Sequence, residues 1–124
     1  MDLPDLQVIA CIDDDPFVLE AMKGFLESVG YTVLVFTSAE TFLTFPEIAD
    51  LYCLITDVKL GGISGLQMLQ QLAASGFTVP AIVITAFDDA LLRAQLSTVG
   101  AIGFLRKPIR EGELLGLLQT CGGG

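Results

Sequence analysis

The chain has 124 residues, 52% apolar and 17% charged, with a formal net charge of −9. That length carries one domain with a real hydrophobic core, and the composition excludes a disordered chain. Six basic residues against fifteen acids cannot build a phosphate-binding surface, which excludes direct nucleic-acid binding and favours a cation or a positively charged partner.

The opening "MDLPDLQ" lacks the basic start and apolar run of a signal peptide, and no apolar segment reaches the length of a membrane span. Both features point to a cytoplasmic protein without a membrane partner. "VIACI" (Val8–Ile12) reads as the first strand, and three consecutive aspartates, Asp13 to Asp15, follow it. Pro16 suits a first helical turn, and Phe17, Ala21, Phe25 and Val29, with Leu26 beside them, mark a helix ending at Gly30. "YTVLVF" (Tyr31–Phe36) is the second strand. Ser38 is a good N-cap for a short helix that cannot run far past Phe45, because Pro46 follows. "YCLIT" (Tyr52–Thr56) is the third strand, with Asp57 immediately after it. Leu66, Leu69 and Leu72 space a third helix closed by Gly76, and "AIVIT" (Ala81–Thr85) is the fourth strand. Asp88 and Asp89 sit at the favourable positive end of a fourth helix, marked by Leu91, Leu92, Leu96 and Val99 and followed by Gly100. "IGFL" (Ile102–Leu105) is the fifth strand, and Lys107 and Pro108 come next. Leu114, Leu115, Leu117 and Leu118 give a fifth helix, interrupted by Gly116. Gly122–Gly124 read as a linker-like tail beyond a single domain at 1–121.

Strict strand–helix alternation predicts an α/β fold: a five-stranded parallel sheet, doubly wound as (βα)5, with right-handed crossovers. Three of the strands are almost continuously apolar, as expected where helices cover both faces. Three cysteines, Cys11, Cys53 and Cys121, show no CxxC spacing. Cys11 and Cys53 lie in apolar runs and read as small buried thiols in a reduced protein.

In such a sheet, sites form beyond the carboxyl ends of the strands. Asp13 and Asp14 follow the first strand, Asp57 the third and Lys107 the fifth, while Thr85 ends the fourth. If those four strands are neighbours, all five side chains reach one shallow cleft. Three carboxylates converging there would repel each other unless a cation lies among them, and magnesium suits oxygen donors of this kind. A carboxylate beside Mg²⁺ can attack phosphorus to form an acyl phosphate, with metal, ammonium and hydroxyl holding the phosphoryl oxygens. An ionised aspartate needs no general base. The chain contains no histidine, which removes Ser-His-Asp and Cys-His systems but is no obstacle to this chemistry.

Together "IDDDP", "LITDVKLGGISGL", "VITA" and "GAIGFLRKP" resemble, in order and across essentially the whole chain, the receiver domains of two-component response regulators. The resemblance implies a flavodoxin-like fold and a set of roles. Asp57 is then the phosphoacceptor, taking a phosphoryl group from a sensor histidine kinase or phosphotransfer protein. Asp14 is a direct Mg²⁺ ligand, Asp13 a ligand through water, and the Lys59 backbone carbonyl completes the protein's share beside Asp57. Thr85 is the switch hydroxyl, Lys107 the phosphate-binding lysine, and Phe104 the aromatic switch residue. The resemblance also implies a cis Lys107–Pro108 peptide. The responding face is the fourth helix, fifth strand and fifth helix, Asp88 to Leu118, where a homodimer partner or output domain is gained or released. Asp15 faces solvent or helps start the first helix. "FTSAETFL" and "SGLQMLQQL" resemble the subgroup often joined to a helix-turn-helix output domain, which leaves a standalone receiver and an excised one both open.

Where family members commonly carry proline, this chain has Gly61, so a more mobile loop is expected there. Lys59 and Phe87 flank the approach to Asp57. Two other classes compete with the signalling receiver, which catalyses only its own phosphorylation and dephosphorylation. A pseudo-receiver binding module would not need all five site residues. A Mg²⁺-dependent phosphohydrolase acting through an aspartyl-phosphate usually has a second acid where Lys59 stands. A flavin-binding flavodoxin is disfavoured, because the acidic loop after the first strand would repel a phosphate.

Overall fold

The three most apolar runs become the centre of the sheet. A computed structural model describes residues 7–86 and 89–121. In it β1 (Val8–Ile12), β3 (Cys53–Asp57) and β4 (Ala81–Thr85) are buried almost throughout. β2 (Thr32–Phe36) and β5 (Ala101–Arg106) alternate between buried and exposed positions. The strand order explains the difference: β2-β1-β3-β4-β5, all parallel, leaves β2 and β5 at the edges. The sequence boundaries of β1 and β4 agree with the structure, and the other strands shift by a single residue at their ends.

Alternation along the strands divides the interior into two cores. Ile9, Cys11, Cys53, Ile55, Ile82 and Ile84 meet α1 (Pro16–Ser28) and α5 (Glu111–Cys121) on one face. Ala10, Ile12, Leu54, Ala81 and Val83 meet α2 (Ala39–Leu43), α3 (Gly65–Ala74) and α4 (Ala90–Ser97) on the other. This is the doubly wound α/β arrangement expected from the alternating pattern. A 3-10 turn, Ile48–Asp50, was not foreseen; it buries Ile48 on the approach to β3.

Two helix readings need correction. The buried residues of α1 are Leu19, Met22 and Leu26, whereas Phe17 is 80% exposed and Val29 43% exposed. A series spaced strictly by four drifts about 40° per step around a helix of 3.6 residues per turn, so its ends leave the face on which it is centred. In α5, Gly116 does not interrupt the helix, which runs unbroken over Leu114 and Leu118. The burial of those leucines outweighs a glycine penalty of about 1 kcal/mol. In α4, Leu96 is the buried anchor and Leu91 is 70% exposed. The caps follow expectation: Ser38 accepts from the Thr41 N–H, and Asp89 accepts from the Leu91 and Leu92 N–H groups. Gly30, Gly76 and Gly100 end their helices at positive φ. The readings placed on Phe87, Asp88 and Gly122–Gly124 lie outside the described residues, as do those on 1–6.

Gly65 brings α3 against the end of β3. A β-carbon there would overlap the Asp57 carbonyl oxygen and lie 3.1 Å from the Val58 Cα, both backbone atoms. Gly116 has open space around it. Gly65→Ala is therefore expected to destabilise by about 2 kcal/mol through overpacking, while Gly116→Ala stabilises by about 0.5–1 kcal/mol through helix propensity. Urea denaturation of both variants checks the contrast, and equal shifts in one direction would contradict it.

Candidate functional site

Register places the site residues before any side chain is considered. Ile12 pairs with Thr56, Asp57 with Ile84, and Thr85 with Arg106. Asp13 and Lys107, one step beyond β1 and β5, are thus drawn to the same edge as Asp57 and Thr85. Short backbone bonds fix them. The Asp13 N–H donates to the Phe36 carbonyl at 3.1 Å, and the Lys107 N–H donates to the Thr85 carbonyl at 3.0 Å. The Lys107–Pro108 peptide is cis, as the family resemblance implies.

Asp13 is 1% exposed and Asp57 8% exposed. Charged groups at such depth need partners, and each has them. Asp57 Oδ2 accepts from Lys107 Nζ at 2.6 Å, and Asp57 Oδ1 accepts from the Lys59 N–H at 3.1 Å. Asp13 Oδ1 accepts from the Asp15 N–H at 2.9 Å, and Asp13 Oδ2 lies 3.6 Å from Lys107 Nζ. Lys107 therefore joins the two carboxylates. Asp15 caps α1 through its side chain, which accepts from the Phe17 N–H at 2.9 Å. It has a positioning part as well, because its own N–H orients Asp13. The Asp-Pro junction carried the capping signal; the bond back to Asp13 had none.

The electrostatics record an imbalance of charge. Burial pushes the Asp13 carboxyl above its ordinary value; the Asp15 N–H and Lys107 pull it down, Asp57 and Asp14 push it up again, and the net shift is upward. For Lys107, burial alone lowers the pKa, but the hydrogen bond and charge of Asp57, then Asp13, more than offset it and the net shift is upward. One ammonium serves two buried carboxylates, with the exposed Asp14 close enough to be felt.

Among the described residues no three Asp, Glu, His or Cys side chains are grouped to hold an ion. Lys107 draws Asp13 and Asp57 toward itself, and Asp14 is exposed to solvent. The donor chemistry still fits a hard cation. The groups are carboxylate oxygens, and Asp13 remains repelled by Asp57 and Asp14 even with Lys107 in place. Lys59 is exposed, and Thr85 is half-buried at the end of β4.

Three supporting residues were not read from the sequence. Gly65 allows the close approach of α3. The Thr56 hydroxyl donates to the Asp57 carbonyl at 2.8 Å. Glu40 of α2 accepts from the Ile63 N–H at 3.1 Å and so holds the loop containing Gly61 and Gly62. Phe104, half-buried on β5 opposite Val83, carries the Arg93 guanidinium of α4 5.0 Å from its ring centroid.

A doubly wound sheet whose carboxyl edge gathers two buried aspartates and a lysine defines a flavodoxin-like domain with an acidic edge pocket. The family model described as the response regulator receiver domain matches residues 9–119, and the chain belongs to that family. It is 38% identical over 114 residues to the response regulator protein TodT of Pseudomonas putida, covering 92% of this chain and 50% of TodT. It is 36% identical over 118 residues to the transcriptional regulatory protein FixJ of Azorhizobium caulinodans, covering 95% of this chain and 56% of FixJ. The chain thus spans about half the length of these curated relatives. Among solved structures, the response regulator StyR matches at 33% identity and TM-score 0.84, over 91% of this chain and 57% of that one. A receiver domain protein from Clostridium thermocellum matches at 25% identity and TM-score 0.84, over 94% of both chains.

Because the folded-state pKa of Asp13 lies above the ordinary 3.8, its favourable contribution is full below that value and is lost as pH rises through the folded value. At neutral pH the ionised carboxylate costs stability. In metal-free buffer Asp13→Asn should melt above the wild type at pH 7, with the gap closing as pH falls through the raised folded value and gone below about 4. Thermal melts across pH test this; a lower melting temperature at pH 7 would mean that the pairing with Lys107 outweighs the repulsion.

Proposed function

We propose that this receiver takes a phosphoryl group onto Asp57 from a sensor histidine kinase or phosphotransfer protein, in a Mg²⁺-dependent reaction. The observation that carries the reading is the 2.6 Å bond from Lys107 Nζ to Asp57 Oδ2 beside buried Asp13. The bond marks Asp57 as the carboxylate on which the pocket's positive charge converges. Attack by an Asp57 oxygen forms an O–P bond while the donor's bond to phosphorus breaks and the leaving group departs. No residue must first remove a proton from Asp57. Lys107 then shifts its ammonium from the carboxylate to a phosphoryl oxygen, and the Thr85 hydroxyl donates to another. Asp13, Asp14, Asp57 and the Lys59 carbonyl would hold the Mg²⁺, which supplies charge neutralisation when bound.

The signal passes from Thr85 to Phe104. As Thr85 moves inward, space opens at the end of β4, and the half-buried Phe104 ring turns into it, leaving the Arg93 guanidinium. This reshapes the face made by α4, β5 and α5, through which a homodimer partner or output domain is engaged. The size of the response is limited by how differently the phosphoryl group interacts with the two conformations. Longer relatives named as transcriptional regulators, of which this chain spans about half the length, support control of an output domain. The family consists of signalling modules, and we assign this chain no catalysis beyond its own phosphorylation and dephosphorylation. The reading places it in the cytoplasm; among the described residues no helix is long and apolar enough to cross a membrane. A hydrolase acting on external phosphate esters is disfavoured by Lys59, which stands where its second acid would be needed.

Intact mass after incubation with acetyl phosphate and Mg²⁺ should show one added phosphoryl group, lost on chelation of the metal during the reaction and absent in Asp57→Asn. Stoichiometric labelling of that variant would overturn the assignment. Thr85→Ala should still label but show a weaker change in amide exchange over 89–118. A silent face there, with a response at α1 instead, would refute the switch and leave the phosphoacceptor standing.

A further inference from the structure

The stretch "FTSAETFL" carries one side chain, Glu40, that the phosphoryl chemistry leaves without a part. It stands on α2, a helix of five residues, too short to hold its shape alone. Buried Ala39 and Phe42 fix that helix to the sheet, and the Ser38 side chain caps its first turn. Phe42 meets Phe36 edge to face, with ring centroids 5.2 Å apart. From this platform Glu40 reaches the loop between β3 and α3, where its Oε2 accepts from the Ile63 N–H at 3.1 Å.

The loop is anchored at both ends. The Lys59 N–H donates to Asp57 Oδ1 at 3.1 Å, and Ser64 and Gln67 form a capping box at the start of α3. Leu60 and Ile63 pack against the core layer shared by α2, α3 and α4. Between them stand Gly61 and Gly62, both exposed, which leave the backbone free to turn. Among the described residues a β-carbon on Gly61 would meet nothing within 4 Å, whereas one on Gly62 would overlap the Glu40 carboxylate. The second glycine is thus the space that the carboxylate fills.

We propose that Glu40 is a positioning residue for the metal site, clamping the two-glycine loop so that the Lys59 carbonyl is in place before Mg²⁺ binds. The inference rests on the reading that this carbonyl is a Mg²⁺ ligand. Glu40 acts through the backbone from Ile63 back to Lys59, and not as a ligand itself. A group already held in its binding position loses less freedom when the ion arrives, which favours affinity. Losing one hydrogen bond of this kind shifts such an equilibrium by about three- to tenfold.

The test compares Glu40→Ala, Glu40→Gln and Gly62→Ala with the wild type in the full chain. It reads amide exchange of the metal-free protein and the Mg²⁺ dissociation constant from chemical-shift titration. In Glu40→Ala the Ile63 and Lys59 amides should exchange about three- to tenfold faster without metal, and the dissociation constant should rise by a similar factor. Glu40→Gln keeps an acceptor oxygen but loses the charge, so both readouts should stay near the wild type. Gly62→Ala should reproduce Glu40→Ala by displacing the carboxylate, and the double variant should be no worse than either alone. A faster Ile63 amide with Lys59 exchange and Mg²⁺ affinity unchanged would overturn the proposal. Equal weakening in Glu40→Gln and Glu40→Ala would overturn it as well, because charge and not the clamp would then be responsible. A wild type that does not bind Mg²⁺ removes the proposed function and this inference together, whereas unchanged affinity in Glu40→Ala removes this inference alone.

Discussion

The bond between Lys107 and Asp57 is the constraint around which the carboxyl edge is arranged. Asp57 is buried while Lys107 is partly open to solvent, so removing the lysine would leave a buried carboxylate without its cation. Asp57 is on β3 and Lys107 follows β5, so the bond spans the end of β4 that lies between them. It forms only if β4 and β5 stop at matching heights, which the Thr85 carbonyl secures by accepting the Lys107 N–H. The same ammonium lies within ion-pair reach of Asp13, which follows β1 on the far side of β3. One lysine thus ties together the loops that follow three strands.

The two-core construction explains how such a cluster is held rigid. β3 is covered on both faces along its length, and its neighbours β1 and β4 are nearly so. Packing of that density resists tilting or sliding of any one strand, so positions at the strand ends inherit the order of the interior. Against this frame the site's own stabilisation is negative in part: Asp13 remains repelled by two other carboxylates. The apolar layers carry the fold, and the carboxyl edge stores the electrostatic tension.

Much of this was legible in the sequence because the informative positions are strand ends. The apolar runs at Val8–Ile12 and Ala81–Thr85 coincide with β1 and β4, which fixes Asp13 and Thr85 at the edge with no further information. The face of α1 was less legible, since a spacing of four selects a drifting line rather than a stripe, and Leu19 and Met22 were passed over for Phe17 and Val29. Gly116 carried a local preference that tertiary burial overrides. Charge counting brings the acids to one edge, but it does not show that Lys107 pairs with both Asp13 and Asp57 there. Cys53 was correctly read as buried, but the bond from the Tyr52 hydroxyl to the Leu118 carbonyl joins the approach to a strand to a distant helix, a relation no local pattern contains.

The pairing of β4 with β5 is irregular near its start: Ala81 faces Ala101, but Ile82 faces Gly103, so Ile102 is an extra residue bulged toward solvent. Beyond that point the two strands run in step to Thr85 and Arg106. The mismatch in length between them is absorbed at the amino end, far from the lysine. Slack placed there protects alignment at the other end, much as a loose first stitch leaves the rest of a seam true. Insertions around Ile102 should be accommodated by enlarging the bulge, whereas one residue gained or lost between Gly103 and Arg106 would turn every following side chain to the opposite face.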